Sequence, residues 1–370
     1  MKHSTQLRRS AIALALTAGI ASVPAAAQGL GEAASRAAKS LALRGMHAGT
    51  MEVRDVTFGA PGAGPSIGRM LFTGFKRDGG RVHADRVDLE DVRLTLGPQI
   101  TTIPAVTMSA VDLPEALFRG LTEGDASLDW AGLLVQTAIG KITIERIVQH
   151  NEIAHMQAID HDIVINGIKD GMVASARIAE IDATAVAPTS PGEVKFHIGE
   201  IRYEQANIAE SIRYFTGGGS GDAKRLLQRA VVNDMEVTTP DAVVRIGRLE
   251  MAAIDGRAPS QPFPAAAQLQ AGLDKVPEDA HARAELLGYV TDLLHYMRIG
   301  RYSIEQFTVE APKQGGRFSI DGITMSGLSS RGLERFEIEL VRGRLVRVGP
   351  SFDTDALRRL VQLLEEDGSC

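Results

Sequence analysis

Apolar residues in this chain keep a rhythm of two, then three. Met51/Val53/Val56/Phe58, Val87/Leu89/Val92/Leu94 and Phe318/Ile320/Ile323/Met325 all follow it. A spacing of two places neighbours on one face of a β-strand. A step of three sends the next pair to the other face, unless a residue bulges out or the strand bends. The pattern therefore predicts bent or bulged strands along nearly the whole chain.

Five of these stretches open with Ile-Gly followed by a charged residue: Ile67-Gly68-Arg69, Ile139-Gly140-Lys141, Ile198-Gly199-Glu200, Ile246-Gly247-Arg248 and Ile299-Gly300-Arg301. Composition alone would give roughly one such triplet. Behind them come Met70/Phe72/Phe75, Ile142/Ile144/Ile147, Ile201/Tyr203/Ala206/Ile208, Leu249/Met251/Ile254 and Tyr302/Ile304/Phe307/Val309. The triplets read as a degenerate internal repeat with insertions of unequal length. Gly68, Gly140, Gly199, Gly247 and Gly300 define it, each suited to a bulge or a close backbone approach, with the following charge turned to solvent.

The insertions read as helices. Leu286, Leu287, Val290, Leu293, Leu294 and Met297 form an apolar stripe at helical spacing in a long helix over 277–297, opened by Pro277, Glu278 and Asp279. Asp222 caps an expected helix carrying Leu226, Leu227, Ala230 and Val231, and Asp353 or Thr354 one over 353–366. Shorter helices are expected over 114–121, 128–138 and 206–215, and an alanine-rich one over 28–45. The run Gly217-Gly218-Gly219-Ser220-Gly221 marks a boundary between a first β-rich half, 46–216, and a second, 222–370. The expected fold is α+β and β-dominated: repeated bent antiparallel strands in an extended curved sheet or sandwich, with amphipathic helices packed on it.

The first 27 residues place the protein. Lys2, Arg8 and Arg9 precede a short apolar run, Ala11 to Val23, and Ala25-Ala26-Ala27 supplies a small-residue cleavage signal. The expected product is periplasmic or secreted, cut after Ala27. No segment reaches the roughly 20 apolar residues of a membrane-spanning helix, so no transmembrane helix is expected in the mature chain. Losing three cations from a chain of net charge −6 leaves −9. An acidic surface repels phosphates, and one tryptophan with five tyrosines offers little for base or sugar stacking, so nucleic acid is excluded as a partner. Cys370 is the lone cysteine, at the last position, so the fold gains no internal disulfide and rests on buried apolar area.

Catalytic constellations are missing. The glycine run lacks the Lys-Ser or Lys-Thr of a phosphate loop, there is no G-x-S-x-G elbow, and Cys370 is no placed nucleophile. One cluster has metal-ligand chemistry: His150, His155, Asp160, His161 and Asp162. On an extended strand His155 and His161 share one parity and Asp160 and Asp162 the other, so only part of the set converges without a turn. Solvated polar residues along a strand edge are the leading reading there, with a metal-dependent hydrolase the alternative. His197 and His295 stand alone and read as structural. No cofactor is expected.

The succession of bent apolar strands from Met51 onward, led by the Ile-Gly-charged units behind a signal peptide, resembles the periplasmic β-repeat proteins grouped with AsmA. That resemblance implies a role in the cell envelope and an extended apolar groove for lipid chains. The function expected is a non-enzymatic exported protein whose strand-rich body binds an amphiphile or another envelope component. An envelope assembly protein acting through protein contacts is the alternative. Oligomeric state is left open.

Overall fold

The computed structural model describes residues 43–47, 49–57, 65–96, 99–123, 130–151, 155–186, 192–216, 222–257, 296–329 and 334–344. The strands are β1 (Leu43–His47), β2 (Thr50–Thr57), β3 (Ser66–Thr73), β4 (Lys76–Asp78), β5 (Arg81–Leu96), β6 (Gln99–Pro114), β7 (Ala138–Asn151) and β8 (Met156–Lys169). They continue as β9 (Met172–Ile178), β10 (Glu180–Val186), β11 (Glu193–Asn207), β12 (Lys224–Thr238), β13 (Val243–Gly256), β14 (Met297–Ala311), β15 (Gly316–Leu328) and β16 (Arg335–Arg344). Among the described residues three α-helices interrupt them: α1 (Glu115–Glu123), α2 (Trp130–Val135) and α3 (Ile208–Thr216).

All these strands belong to one antiparallel sheet in which chain neighbours are sheet neighbours, except β3–β4 and β9–β10. β3 and β4 hold a single register against β5, broken only at Gly74-Phe75. β9 and β10 likewise share one register against both β8 and β11, broken at Ala179. Each pair is one long strand in two pieces.

Among the described residues ten non-glycine ones have positive φ, and eight of them interrupt strands: Asp55, Asp91, Ala110, Asp162, Gln205, Asp234, Ala253 and Gln306. The left-handed conformation bends a strand and exchanges its two faces. The register lines seven of these positions up along two levels, with Asp162 one residue from the second. One level runs through Asp85, Ala110, Gly140, Gly167, Ala174, Gln205, Gln228, Ala253, Gly300 and Gly327. The other contains Asp55, Gly68 and Asp91 at one end and Gly199, Asp234, Gly247, Gln306 and Asp321 at the other. Residues on facing strands switch faces at the same level, so pairing stays in step and the sheet is creased rather than slipped.

The creases explain the glycines. A Cβ on Gly68, Gly140, Gly199 or Gly247 would lie 3.0 Å from the Cβ of Asp91, Ala110, Asp234 or Gln306, and one on Gly300 would lie 2.7 Å from that of Ala253. In all five cases the crowding atom belongs to the positive-φ residue of the facing strand. Six residues after Gly68, Gly199, Gly247 and Gly300 the chain reaches Gly74, Gln205, Ala253 and Gln306, all at positive φ. A strand thus crosses one crease at its glycine and the second at a left-handed residue, about 20 Å further on. The step of three in the apolar rhythm is that second crossing.

The helices over 114–121, 128–138 and 206–215 are present as α1, α2 and α3 with shifted ends; Ala138 already belongs to β7. Asn207 caps α3, its Oδ1 accepting from the Glu210 amide at 3.0 Å. The helix expected after Asp222 is absent: Leu226, Leu227, Ala230 and Val231 lie in β12. Leu227 and Ala230 straddle the crease at Gln228, and a strand that steps by three there imitates helical spacing. The expected N-terminal helix over 28–45 is also corrected at its end, because Leu43 to Gly45 belong to strand β1, which pairs with β2. Met297, placed in the long helix by its spacing, opens β14. Residues 277–295, the helix over 353–366, the signal segment and Gly217 to Gly221 lie outside the described residues. The strands flanking that glycine run, β11 and β12, pair directly with each other.

Candidate functional site

Between the creases, one face of the sheet carries apolar residues in unbroken cross-strand ribs. The first runs Val53, Met70, Leu89, Val106, Ile144, Ile163, then Ile178, Ile201, Val232, Leu249, Ile304, Ile323 and Ile338. A parallel rib runs from Met51 and Phe72 through Ile142, Ile165, Tyr203 and Met251 to Tyr302, Met325 and Phe336. At about 4.8 Å per strand each rib extends for roughly 58 Å. Burial pushes the Tyr302 phenol up to about 12.

The opposite face is polar. Arg69 bridges Glu52 at 2.8 Å and Glu90 at 2.7 Å, and Arg229 reaches Glu250 at 3.0 Å. Hydrogen bonding from Arg229, joined by Arg248, holds the Glu250 carboxyl down to about 2. The charged residues of the Ile-Gly units take part: Arg69, Glu200 and Arg248 all form ion pairs on this face.

The apolar face is covered unevenly. At the β2–β6 end it is sealed, and α1 does part of this. Phe118, 1% exposed, packs on Phe72 at 5.4 Å and Phe75 at 5.7 Å between ring centroids, with the Arg77 guanidinium 4.9 Å above its ring. At the other end Ile304, Phe307, Phe318, Ile320 and Ile323 are half-buried, while Phe336 and Ile338 are 37% and 44% exposed.

A third rib, beyond the second crease, contains Val56, Ile67, Val92, Ile147, Ile181, Ile198, Met235, Ile246, Phe307 and Ile320. One acid interrupts it. Asp160 faces Ile147 on one side and Ile181 on the other and is 4% exposed. Burial raises its carboxyl above the ordinary aspartate range, against the opposing effect of a hydrogen bond from Gln149 Nε2 at 3.1 Å. Gln149 in turn accepts from Gln99 at 2.9 Å.

The histidine cluster read from the sequence is dispersed by the fold. His150 is exposed opposite Gln157, His155 occupies the β7–β8 turn at positive φ, and Asp162 sits on a crease. Asp160 faces the apolar side, and His161 lies on the polar one, opposite Glu180. The group that does converge among the described residues is Glu180, Asp182 and His197. Its signal in the sequence was the i, i+2 spacing of the two acids; their match to His197 appears only once β10 and β11 are in register.

Comparison of the chain with protein-family models, with curated proteins and with solved structures gives no match. Among the described residues no helix is long and apolar enough to cross a membrane.

Proposed function

We propose that this is an exported envelope protein that holds the hydrocarbon part of an amphiphile along the ribs of its creased sheet. The observation that carries the reading is the continuity of the ribs: thirteen successive strands each contribute an apolar side chain to the same two lines. A surface of that length with one apolar face must be covered, and extended hydrocarbon matches it in length and chemistry. The graded covering gives a direction, closed at α1 and accessible at β14–β16. The signal-like N-terminus and the resemblance to AsmA-type β-repeats support an envelope setting. No reaction centre is invoked, and the role is binding or carriage.

The test is organic extraction of the purified mature protein followed by mass spectrometry, with titration of a pyrene-labelled fatty acid. Co-extracted lipid and saturable probe binding are expected. Phe336→Asp and Ile338→Asp, at exposed positions that leave folding intact, weaken probe binding several-fold. Absence of both lipid and probe binding refutes the proposal.

A further inference from the structure

We propose that Glu180, Asp182 and His197 form a site for a divalent transition-metal ion of the zinc class on the polar face of the sheet. It is separate from the apolar ribs and does not depend on what they bind.

Strand geometry builds the site. Glu180 and Asp182 are two apart in β10 and share a face, and His197 of β11 lies directly across from Asp182. The register sets Glu180 across from Gly199, which has no side chain, so the His197 imidazole meets both carboxylates. Its Nδ1 lies 2.9 Å from Asp182 Oδ1 and 3.6 Å from Glu180 Oε1. A tetrahedral zinc ion with bonds of about 2.0–2.2 Å separates its ligand atoms by roughly 3.3–3.6 Å, so the two distances from Nδ1 bracket the required spacing, and all three donors lie within 4.8 Å of one another. One imidazole with two carboxylates is a donor set that zinc accepts.

Two further observations mark the place. A surface cleft opens beside the donors, bounded by Asp182, His197, Lys195, Thr184, Glu236 and Thr238, giving a metal room for water or a substrate oxygen. His161 lies opposite Glu180 on the same face, beside the converging group rather than in it. Glu236, across from His197 on β12, is occupied by Arg245 at 2.7 Å, so the negative charge left to a cation comes from the two acids of β10. The site adjoins the Ala179 break, and an ion there ties β10 to β11 where the strand is interrupted.

The decisive experiment is calorimetric titration of the full-length, untagged protein with Zn²⁺, with cobalt absorption as a second readout and the unfolding temperature measured with and without zinc. One ion per chain, a visible cobalt band and a zinc-dependent rise in unfolding temperature are expected. His197→Ala and the double variant Glu180→Gln/Asp182→Asn should each weaken binding at least about tenfold and abolish the temperature shift. His83→Ala is the control, because His83 pairs with Asp112 at 3.3 Å and lies outside the converging group; it should leave binding unchanged. Absence of zinc binding, or binding that survives His197→Ala, overturns the proposal.

Discussion

Gly300→Ala tests whether the creases dictate the glycines. The new methyl carbon would stand 2.7 Å from the Cβ of Ala253, with the Ala253 and Ala252 carbonyl oxygens at 3.3 and 3.4 Å. Ordinary carbon contacts lie near 3.5–4.0 Å, so facing strands must part by about 1 Å. Overpacking of this kind costs about 1–3 kcal/mol. Ala253 is the other half of the collision and is held at φ 55°, a conformation glycine adopts without strain. Ala253→Gly alone should stay within about 1 kcal/mol of the parent, since relieved strain and added chain entropy oppose each other. In the double variant no methyl faces another methyl, so most of the Gly300→Ala loss should be recovered, a coupling of about 1 kcal/mol or more. Gly316→Ala is the control: its Cβ would meet only the Ala311 Cβ, at 4.0 Å, and its effect should stay within about 0.5 kcal/mol. Urea denaturation of the four proteins and the parent reads all these differences. Full stability of Gly300→Ala, or a double variant as damaged as the sum of its parts, would refute the crease as the reason for glycine there.

Asp160→Asn should stabilise the protein at neutral pH by about 1–3 kcal/mol by removing a buried charge. Because the Asp160 carboxyl is raised in the folded state, its favourable contribution is complete below the unfolded value of 3.8 and is lost as pH rises through the folded value. The gap between variant and parent should therefore widen from acid to neutral pH in denaturation curves, and a constant gap would contradict the reasoning. Glu250 has the opposite sign. Held at about 2 against an ordinary value of 4.5, it stabilises the fold fully above 4.5 and loses its contribution as pH falls toward 2, so Glu250→Gln should flatten the acid limb of a stability profile. Phe118→Ala should cost about 3–5 kcal/mol and raise the accessibility of Phe72 and Phe75 at the sealed end, measurable by denaturation and hydrogen exchange. Spectrophotometric titration should show Tyr302 ionising only near 12, and Tyr302→Phe should diminish that late step by one phenol.

Strand content and the bending of strands were legible because a half-buried strand prints its faces on the sequence with period two, and a left-handed residue shifts the print by one. The place of each bend, between Val53 and Val56 or between Leu89 and Val92, could be read to within a residue or two. The same signature misled at Leu227 and Ala230, where a strand crossing a crease spaces its apolar residues as a helix does. Met297 was drawn into a helix for a related reason: its spacing to Leu293 and Leu294 is helical, but hydrogen bonding to β13 decides its conformation. The cation site was not legible. His150, His155 and His161 are close along the chain and end on different levels of the sheet, while His197 reaches Asp182 across 15 residues. Sequence proximity says little about convergence in a sheet; register determines it.

The creases and the ribs are two consequences of one constraint. A long strand with period-two patterning keeps one apolar face only while it runs straight, and each bend would hand its remaining apolar residues to solvent. Moving the pattern by one residue at the bend restores them, but a neighbouring strand that did not move with it would place a polar residue in the same rib. Strands that switch at the same level keep the ribs whole, and at the five Ile-Gly units the crowded side of the switch places a residue without a Cβ across from a left-handed one. The Ile-Gly-charged unit meets this requirement: isoleucine ends one rib segment, glycine accepts the facing Cβ, and the charge returns the chain to the polar face, where Arg69, Glu200 and Arg248 find their partners. On this argument, Gly→Ala at any of the five units should disturb the ribs on both sides of its crease, and for amphiphile binding the damage should extend beyond the local packing lost.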